Sequence, residues 1–281
     1  MKKIIVLLVC LLVLTACAAP ASQGGVAATT APVFQFAEAI AEGTDVEVRQ
    51  VISDSVSCLH DYSLSVRQME TMEKSDLVLL SGAGLEDFMA DALRTAETVD
   101  CSEGAALLEM IHEGHSHGHD PHLWLDPGNA AIMAENICRA LSAQYPEEAA
   151  VFEENTAALK EKLLELKAWG TQELSKLSSR KLITFHDGFA YLASAFDLEI
   201  LAAVEEEAGS EASAADLMQI IGLVEAHGLG CVFTEKNGSD AAASVIASET
   251  GCRSFTLDMA MSGDYFEAME HNIQTLKEAL S

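Results

Sequence analysis

The segment 112–127, HEGHSHGHDPHLWLDP, contains five of the nine histidines of this 281-residue chain. Imidazole is the commonest metal ligand among protein side chains, so the segment indicates metal binding. Its last histidine, His122, stands between Pro121 and the apolar run 123–125, which predicts a rigid setting for one ligand. The earlier histidines alternate with small and polar residues, and we expect them to form a weak, mobile collecting loop over 112–120. These loop histidines are His112, His115, His117 and His119.

Two distant histidines are placed to complete a site with His122. His60 lies in SCLHDYS and His186 in LITFHDGFAYLA, and each follows a predicted strand. Ligands of open α/β sheets bind at the carboxyl ends of strands, so we expect these three imidazoles to converge. Each histidine has an aspartate within two residues that could orient its ring by a hydrogen bond. These aspartates are Asp61, Asp120 and Asp187.

A carboxylate is expected to supply the fourth ligand. Asp258 follows the predicted strand 253–257, at the edge of the sheet where His186 should also lie. Five glutamates compete with it for this role: Glu205, Glu206, Glu207, Glu211 and Glu235. Three imidazoles and one carboxylate form a tetrahedral set that suits Zn²⁺, whereas Mn²⁺ prefers more oxygen ligands. The prediction is a zinc site, with manganese as the alternative.

The same residues argue against a zinc hydrolase. In HEGHSH, Ser116 stands where a HExxH motif needs its second histidine, and Gly114 and Gly118 disfavour a helix. A fourth protein ligand would also close the position that a catalytic zinc keeps for water. We therefore expect a binding protein with no catalytic residues, not an enzyme.

Strand and helix patterns alternate along the body of the chain, which predicts an α/β fold with mostly parallel sheets flanked by helices. The predicted strands are 46–52, 77–81, 98–100, 182–185, 199–204, 230–234 and 253–257, and the predicted helices include 64–74, 85–93 and 264–280. Residues 146–177 are rich in Glu, Lys, Leu and Ala, which predicts a connecting helix roughly 45 Å long. We expect this rigid helix to join lobes 26–145 and 178–281, unless it breaks near Gly170.

The N-terminus predicts export and anchoring. Residues 1–16 combine two lysines, an apolar run and small residues, as in a secretory signal, and the apolar run is too short to span a bilayer. The sequence LTAC, ending at Cys17, resembles the lipobox of bacterial lipoproteins, which implies lipidation of Cys17. Residues 17–25 are small and polar, which predicts a flexible tether. We expect the protein to be extracytoplasmic and anchored to the outer face of the cytoplasmic membrane.

Acidic residues outnumber Lys and Arg by 44 to 16, so the formal net charge is −28. Such a surface repels the phosphate backbone, which excludes nucleic acid as a partner.

The cysteines allow one disulfide to be considered in this oxidising compartment. Cys58 and Cys101 each follow a predicted strand of the first half, so they form the favoured pair. The alternative is that the cysteines are small buried apolar residues.

The order of motifs along the mature chain resembles one family. A lipobox, HDYS, KSDLVLLSGAGLEDF, a His-rich segment, DPHLWLDP, a long helix, FHDGFAYLA, VFTEKNGSD and LDMAMSGDYFEAMEHNI follow one another as in the zinc-binding solute receptors of bacterial ABC importers. This resemblance implies two lobes with the metal between them and delivery to an ABC permease driven by a cytoplasmic ATPase. It also implies the ligands His60, His122, His186 and Asp258. We expect a monomer.

Two departures from the family pattern leave the shape of the cleft open. Cys58-Leu59 precedes the first histidine where the family usually has a proline, and Ala212 follows Glu211 where Glu-Pro is frequent. The alternatives within this fold are a manganese or iron receptor, or a surface lipoprotein for cell adhesion or metal sequestration.

Overall fold

The structure, a computed structural model, describes residues 24–53, 62–112, 115–205, 212–236 and 238–281. Several predicted features lie outside these ranges: the signal segment 1–16, Cys17, Cys58, His60, Asp61, Glu206, Glu207 and Glu211.

The first sheet consists of four parallel strands in the spatial order β2-β1-β3-β4. These strands are β1 (Val26–Ala28), β2 (Val48–Gln50), β3 (Leu77–Leu80) and β4 (Thr98–Asp100). Its helices are α1 (Ala31–Ala41), α2 (Val66–Lys74) and α3 (Ala90–Leu93), the last preceded by a 3₁₀ turn. Strands β2, β3 and β4 were predicted, and the parallel α/β architecture is confirmed.

The folded body begins two residues earlier than the predicted tether allows. The Gly24 carbonyl accepts a hydrogen bond of 2.7 Å from Arg49 Nη1, and the Gly25 carbonyl accepts one of 2.9 Å from the Asp76 amide. Gly25 has φ +63°, in the left-handed region that favours glycine. These hydrogen bonds attach Gly24 and Gly25 to the amino-terminal end of β1, so both residues belong to the folded body.

The predicted loop 112–120 is instead part of a β-hairpin. Strands β5 (Glu109–His112) and β6 (His115–His119) pair antiparallel, and the Asp120 amide continues the pairing to the Leu108 carbonyl at 2.9 Å. The glycines that exclude a helix here do not exclude strands, and Gly118 takes φ +101° within β6. Paired strands therefore replace the irregular backbone that we expected here, and the role of these histidines in collecting metal stays a prediction.

The long connecting helix is confirmed. It comprises α5 (Ala149–Glu173), about 37 Å long at 1.5 Å per residue, with 3₁₀ turns at Pro146–Glu148 and Leu174–Lys176. It packs along α4 (Pro127–Gln144), which precedes it. Among the helices of the described ranges, none has both the length and the apolar character needed to cross a membrane.

The helix α5 continues through Gly170, because this glycine serves packing and does not break the helix. A Cβ atom at Gly170 would lie 2.5 Å from Phe196 Cε1 and 2.8 Å from Ile273 Cδ1. The absence of a side chain thus lets α5 approach the C-terminal half closely.

We expect Gly170→Ala to lower the free energy of unfolding by about 1–3 kcal/mol, although alanine is the better helix former, because overpacking outweighs propensity. The matched control is Gly222→Ala, inside the helix Ala214–His227, where nothing lies within 4 Å of the added Cβ. That substitution should raise the free energy of unfolding by up to about 1 kcal/mol. Urea unfolding of both metal-free variants gives the comparison. Equal effects would show that helix propensity alone acts at Gly170.

The second sheet also has four parallel strands, in the order β10-β9-β7-β8. Its strands are β7 (Lys181–His186), β8 (Glu199–Glu205), β9 (Cys231–Glu235) and β10 (Arg253–Leu257). Its helices are α6 (Ala190–Ala195), α7 (Ala214–His227), α8 (Ala241–Thr250) and α9 (Tyr265–Leu280). All four strands lie within one residue of their predicted bounds.

The two halves are joined directly as well as through α5. Gln35, on α1, donates to the Gly263 carbonyl at 2.8 Å and accepts from the Tyr265 amide at 2.9 Å. The rings of Phe36 and Tyr265 meet edge to face at 4.9 Å between centroids. One buried apolar cluster runs from the first sheet to the second. This side of the junction is therefore a packed interface between the halves.

The proposed disulfide stays a prediction, since Cys58 lies outside the described residues. Cys101 is a fully buried free thiol in the structure, and burial raises its pKa well above the ordinary value of 9.0. The structure therefore gives no support to the pairing.

Candidate metal site

His122 lies in a turn that two side chains fix. A 3₁₀ turn over Leu123–Leu125 follows it, and the Leu125 amide donates to the His122 carbonyl at 3.1 Å. Asp126 then caps α4 by accepting from the Gly128 amide at 2.7 Å. Lys167, on α5, donates to Asp126 Oδ1 at 2.7 Å. The turn is thus attached to both long helices, which holds His122 in place.

The ring of His122 is oriented by Asp120, as predicted. Asp120 Oδ1 lies 2.8 Å from His122 Nδ1 and also accepts from the His122 amide at 2.9 Å. Both side chains are 4% exposed. A carboxylate on Nδ1 favours the tautomer with a proton on that nitrogen, which leaves Nε2 as the nitrogen available to a metal.

His186, the last residue of β7, lies beside His122. The ring centroids are 5.4 Å apart, with an interplanar angle of 82°. Glu235, at the end of β9, places Oε2 3.9 Å from His186 Nδ1, and both side chains are buried. Asp187, predicted to orient this ring, is exposed. Glu205 is the register partner of His186 in the sheet. Histidines 64 positions apart in sequence therefore meet between the two halves.

Asp258 follows β10 and is held by three elements. Its Oδ1 accepts from the Ala260 amide at 2.9 Å, and its Oδ2 accepts from Lys236 Nζ at 2.7 Å. Asn272, on α9, exchanges two hydrogen bonds of 2.7 Å with the Asp258 backbone. The side chain of Asp258 is 8% exposed. This aspartate is therefore buried and fixed in direction.

The residue after Asp258 connects it to both histidine segments. The Met259 carbonyl accepts from Trp124 Nε1 at 2.8 Å. Gly188 packs so closely that an added Cβ would lie 2.7 Å from His186 Nε2 and 2.8 Å from Met259 Cε. Within the described ranges, no three His, Cys, Asp or Glu side chains are grouped closely enough to hold a metal ion together. The structure thus brings His122 and His186 together and places Asp258 on an adjoining segment.

Two residues that matter here were not singled out from sequence. In the sequence Trp124 is one residue of an apolar run, yet in the structure it is fully buried and its ring centroid lies 5.5 Å from that of His122. Tyr265 donates to the Trp124 carbonyl at 2.8 Å, and burial raises the pKa of this tyrosine well above 10.0. The signal in the sequence was the position of Trp124 in a short segment between Asp120 and Asp126, where a large aromatic side chain indicates a buried anchor.

A further buried acid lies at the carboxyl edge of the first sheet. Glu86 accepts hydrogen bonds from Thr29 Oγ1 at 2.6 Å, the Ser81 amide at 2.7 Å and the Gly82 amide at 3.1 Å. Burial raises the pKa of this carboxyl to about 7, although those hydrogen bonds act in the opposite direction. All the described hydrogen-bond partners of Glu86 belong to the first half, so this carboxyl holds the loop after β3 in place and is not assigned to the metal site.

Comparison with known proteins decides the family. Residues 26–279 match the family model described as ZnuA, zinc-uptake complex component A, periplasmic. The chain belongs to the ZnuA family. The zinc-binding lipoprotein AdcA of Streptococcus pneumoniae is 28% identical over 99% of this chain, and the match covers 61% of AdcA. The chain thus spans less than two thirds of the length of this curated relative.

Solved structures of the ZnuA family have the same fold. A crystal structure of ZnuA superposes with a TM-score of 0.82 at 27% identity, covering 92% of this chain and 99% of that one. The Zn(II)-bound structure of AdcA from Streptococcus pneumoniae gives a TM-score of 0.78 at 27% identity, covering 91% of this chain and 57% of that one. The resemblance inferred from the motifs is therefore confirmed at the level of family and fold.

Proposed function

We propose that this protein is an extracytoplasmic receptor that binds Zn²⁺ as cargo and delivers it to an ABC permease. The observation that carries the proposal is the meeting of two buried imidazoles, His122 and His186, at 5.4 Å between the halves of a ZnuA-family fold. The Zn(II)-bound relative supports zinc as the ion. We assign His60, His122, His186 and Asp258 as the ligands.

The donor set fits Zn²⁺ chemically. His122 has Nδ1 on Asp120, which directs Nε2 toward a ligand, and Asp258 is a buried carboxylate. Neutral imidazoles and one carboxylate suit a tetrahedral ion of borderline softness. Four protein ligands would bind the ion without leaving a position for catalytic water, as a carrier requires. The protein's own contribution is to orient these groups and to exclude water.

The finer assignments rest on the N-terminal motif and on the family. Lipidation of Cys17 would hold a monomeric protein at the outer face of the cytoplasmic membrane, near its permease. The family description "periplasmic" and the name "lipoprotein" of the AdcA relative support this location.

Metal competition on the purified chain tests the proposal. Metal-free protein should retain about one Zn²⁺ per chain after gel filtration, and an about tenfold excess of Mn²⁺ should not displace it. Metal content measured by mass spectrometry gives the result. Preferential retention of Mn²⁺ would favour the manganese receptor, and no retained metal would reject a receptor of either kind.

A further inference from the structure

Lys236 lies against the proposed aspartate ligand. It is the first residue after β9, and its amide donates to the Leu257 carbonyl at 2.8 Å, which fixes its backbone beside the end of β10. Its Nζ donates to Asp258 Oδ2 at 2.7 Å. The Lys236 side chain is 52% exposed, whereas that of Asp258 is 8% exposed. A half-exposed cation thus pairs with a buried carboxylate.

This pairing covers the oxygen that a metal would use. Asp258 Oδ1 is already directed at the Ala260 amide, so Oδ2 is the oxygen least committed to the protein backbone. An ammonium group and Zn²⁺ on the same oxygen would repel each other. Lys236 can turn into solvent on its flexible stem, but Asp258 is fixed by Asn272 through the backbone. Of the two partners, Lys236 is therefore the one that moves.

We propose that Lys236 is an internal competitor of the metal: it neutralises Asp258 in the metal-free protein and is displaced when Zn²⁺ binds, which sets the zinc affinity. The inference rests on the proposed function and on Asp258 as a ligand. Exchange of one cation for another keeps the buried carboxylate paired in both states, which avoids an isolated buried charge. Its cost is weaker zinc binding, since each binding event breaks the Lys236–Asp258 pair.

The test compares Lys236→Met with a matched control, Lys277→Met. Lys277 is 51% exposed and pairs with Glu173 at 2.6 Å. Lys277 lies in the last turns of α9. The nearby Ala279 carbonyl contacts Cys231, which begins β9, whereas Lys236 follows the other end of that strand. Zinc affinity is measured by competition with a chromophoric chelator. Lys236→Met should bind Zn²⁺ about 10-fold more tightly than wild type, and Lys277→Met should bind as wild type.

A second readout separates competition from a structural role. Without metal, Lys236→Met leaves a buried carboxylate unpaired, so its melting temperature should fall below that of wild type. With saturating Zn²⁺ the two melting temperatures should agree, because the metal then pairs Asp258 in both. In an Asp258→Asn background, Lys236→Met should no longer raise zinc affinity.

The outcomes distinguish the two proposals. Unchanged or weaker zinc binding in Lys236→Met, with wild type binding normally, overturns the competitor and leaves the receptor function standing. A wild-type protein that binds no zinc overturns both.

Discussion

Replacement of His122 or His186 by alanine is expected to lower zinc affinity by at least about 100-fold, since loss of residues that merely orient ligands already costs 10–100-fold. Each substitution removes one of the two imidazoles that meet at 5.4 Å. Chelator competition on the purified variants measures the loss. Both rings are buried, so either substitution could also impair folding. A thermal melt of each metal-free variant, measured beside its zinc affinity, shows whether the variant folds.

Histidines elsewhere in the chain provide the controls. His227 is exposed at the end of α7, 3.3 Å from Lys181 Nζ, and His227→Ala should bind zinc as wild type does. Removal of the four hairpin histidines should also leave one tight site. These hairpin histidines are His112, His115, His117 and His119. If removing the hairpin histidines lowered zinc affinity as much as His122→Ala, the assignment of His122 alone from the segment 112–127 as a ligand would be wrong.

The strands of the second half could be predicted because their residues carry the signal locally. Lys181–His186 and Cys231–Glu235 are short apolar runs rich in β-branched and aromatic residues, with turn residues nearby. The strand Val26–Ala28 has only three small residues after two glycines, so nothing in its own sequence marks it as central to the first sheet. The hairpin Glu109–His119 was not predicted either, because its histidines and glycines lack the alternating apolar pattern of a strand and only the backbone pairing reveals it.

The candidate site was predictable to the extent that sheet topology dictates it. His186 ends β7 and Asp258 follows β10, two parallel strands of one sheet, so their side chains were expected at one edge. The meeting of His122 with His186 follows from the two halves facing each other. The pairing of Asp258 with Lys236 could not be predicted, because it depends on the register of β9 and β10. For the same reason, Glu235 rather than the adjacent Asp187 is the buried carboxylate found near His186.

Trp124→Ala is expected to lower the free energy of unfolding by about 3–5 kcal/mol, the range for truncating a large buried aromatic residue. Trp124 has no exposed surface, and it links both halves: its Nε1 donates to the Met259 carbonyl, and its own carbonyl accepts from Tyr265. Zinc affinity should fall as well, because the turn that holds His122 loses this link to the segment after Asp258.

Urea unfolding of the metal-free protein, followed by circular dichroism, measures the loss without relying on tryptophan as the probe. Trp169, on α5, is the chain's other tryptophan and is only half buried, so Trp169→Ala should cost less. Trp124→Phe keeps most of the ring volume but leaves the Met259 carbonyl without its donor, and this should cost about 1–3 kcal/mol.

The order of these three losses identifies what the turn does. A Trp124→Phe variant that keeps its stability but loses zinc affinity would show that the hydrogen bond to Met259 positions the site rather than supporting the fold. If Trp124→Ala cost no more than Trp169→Ala, the contact between Trp124 and Met259 would not couple the halves. The Lys167–Asp126 pair would then be the stronger attachment of the His122 turn, since it joins that turn to α5 without passing through the second sheet.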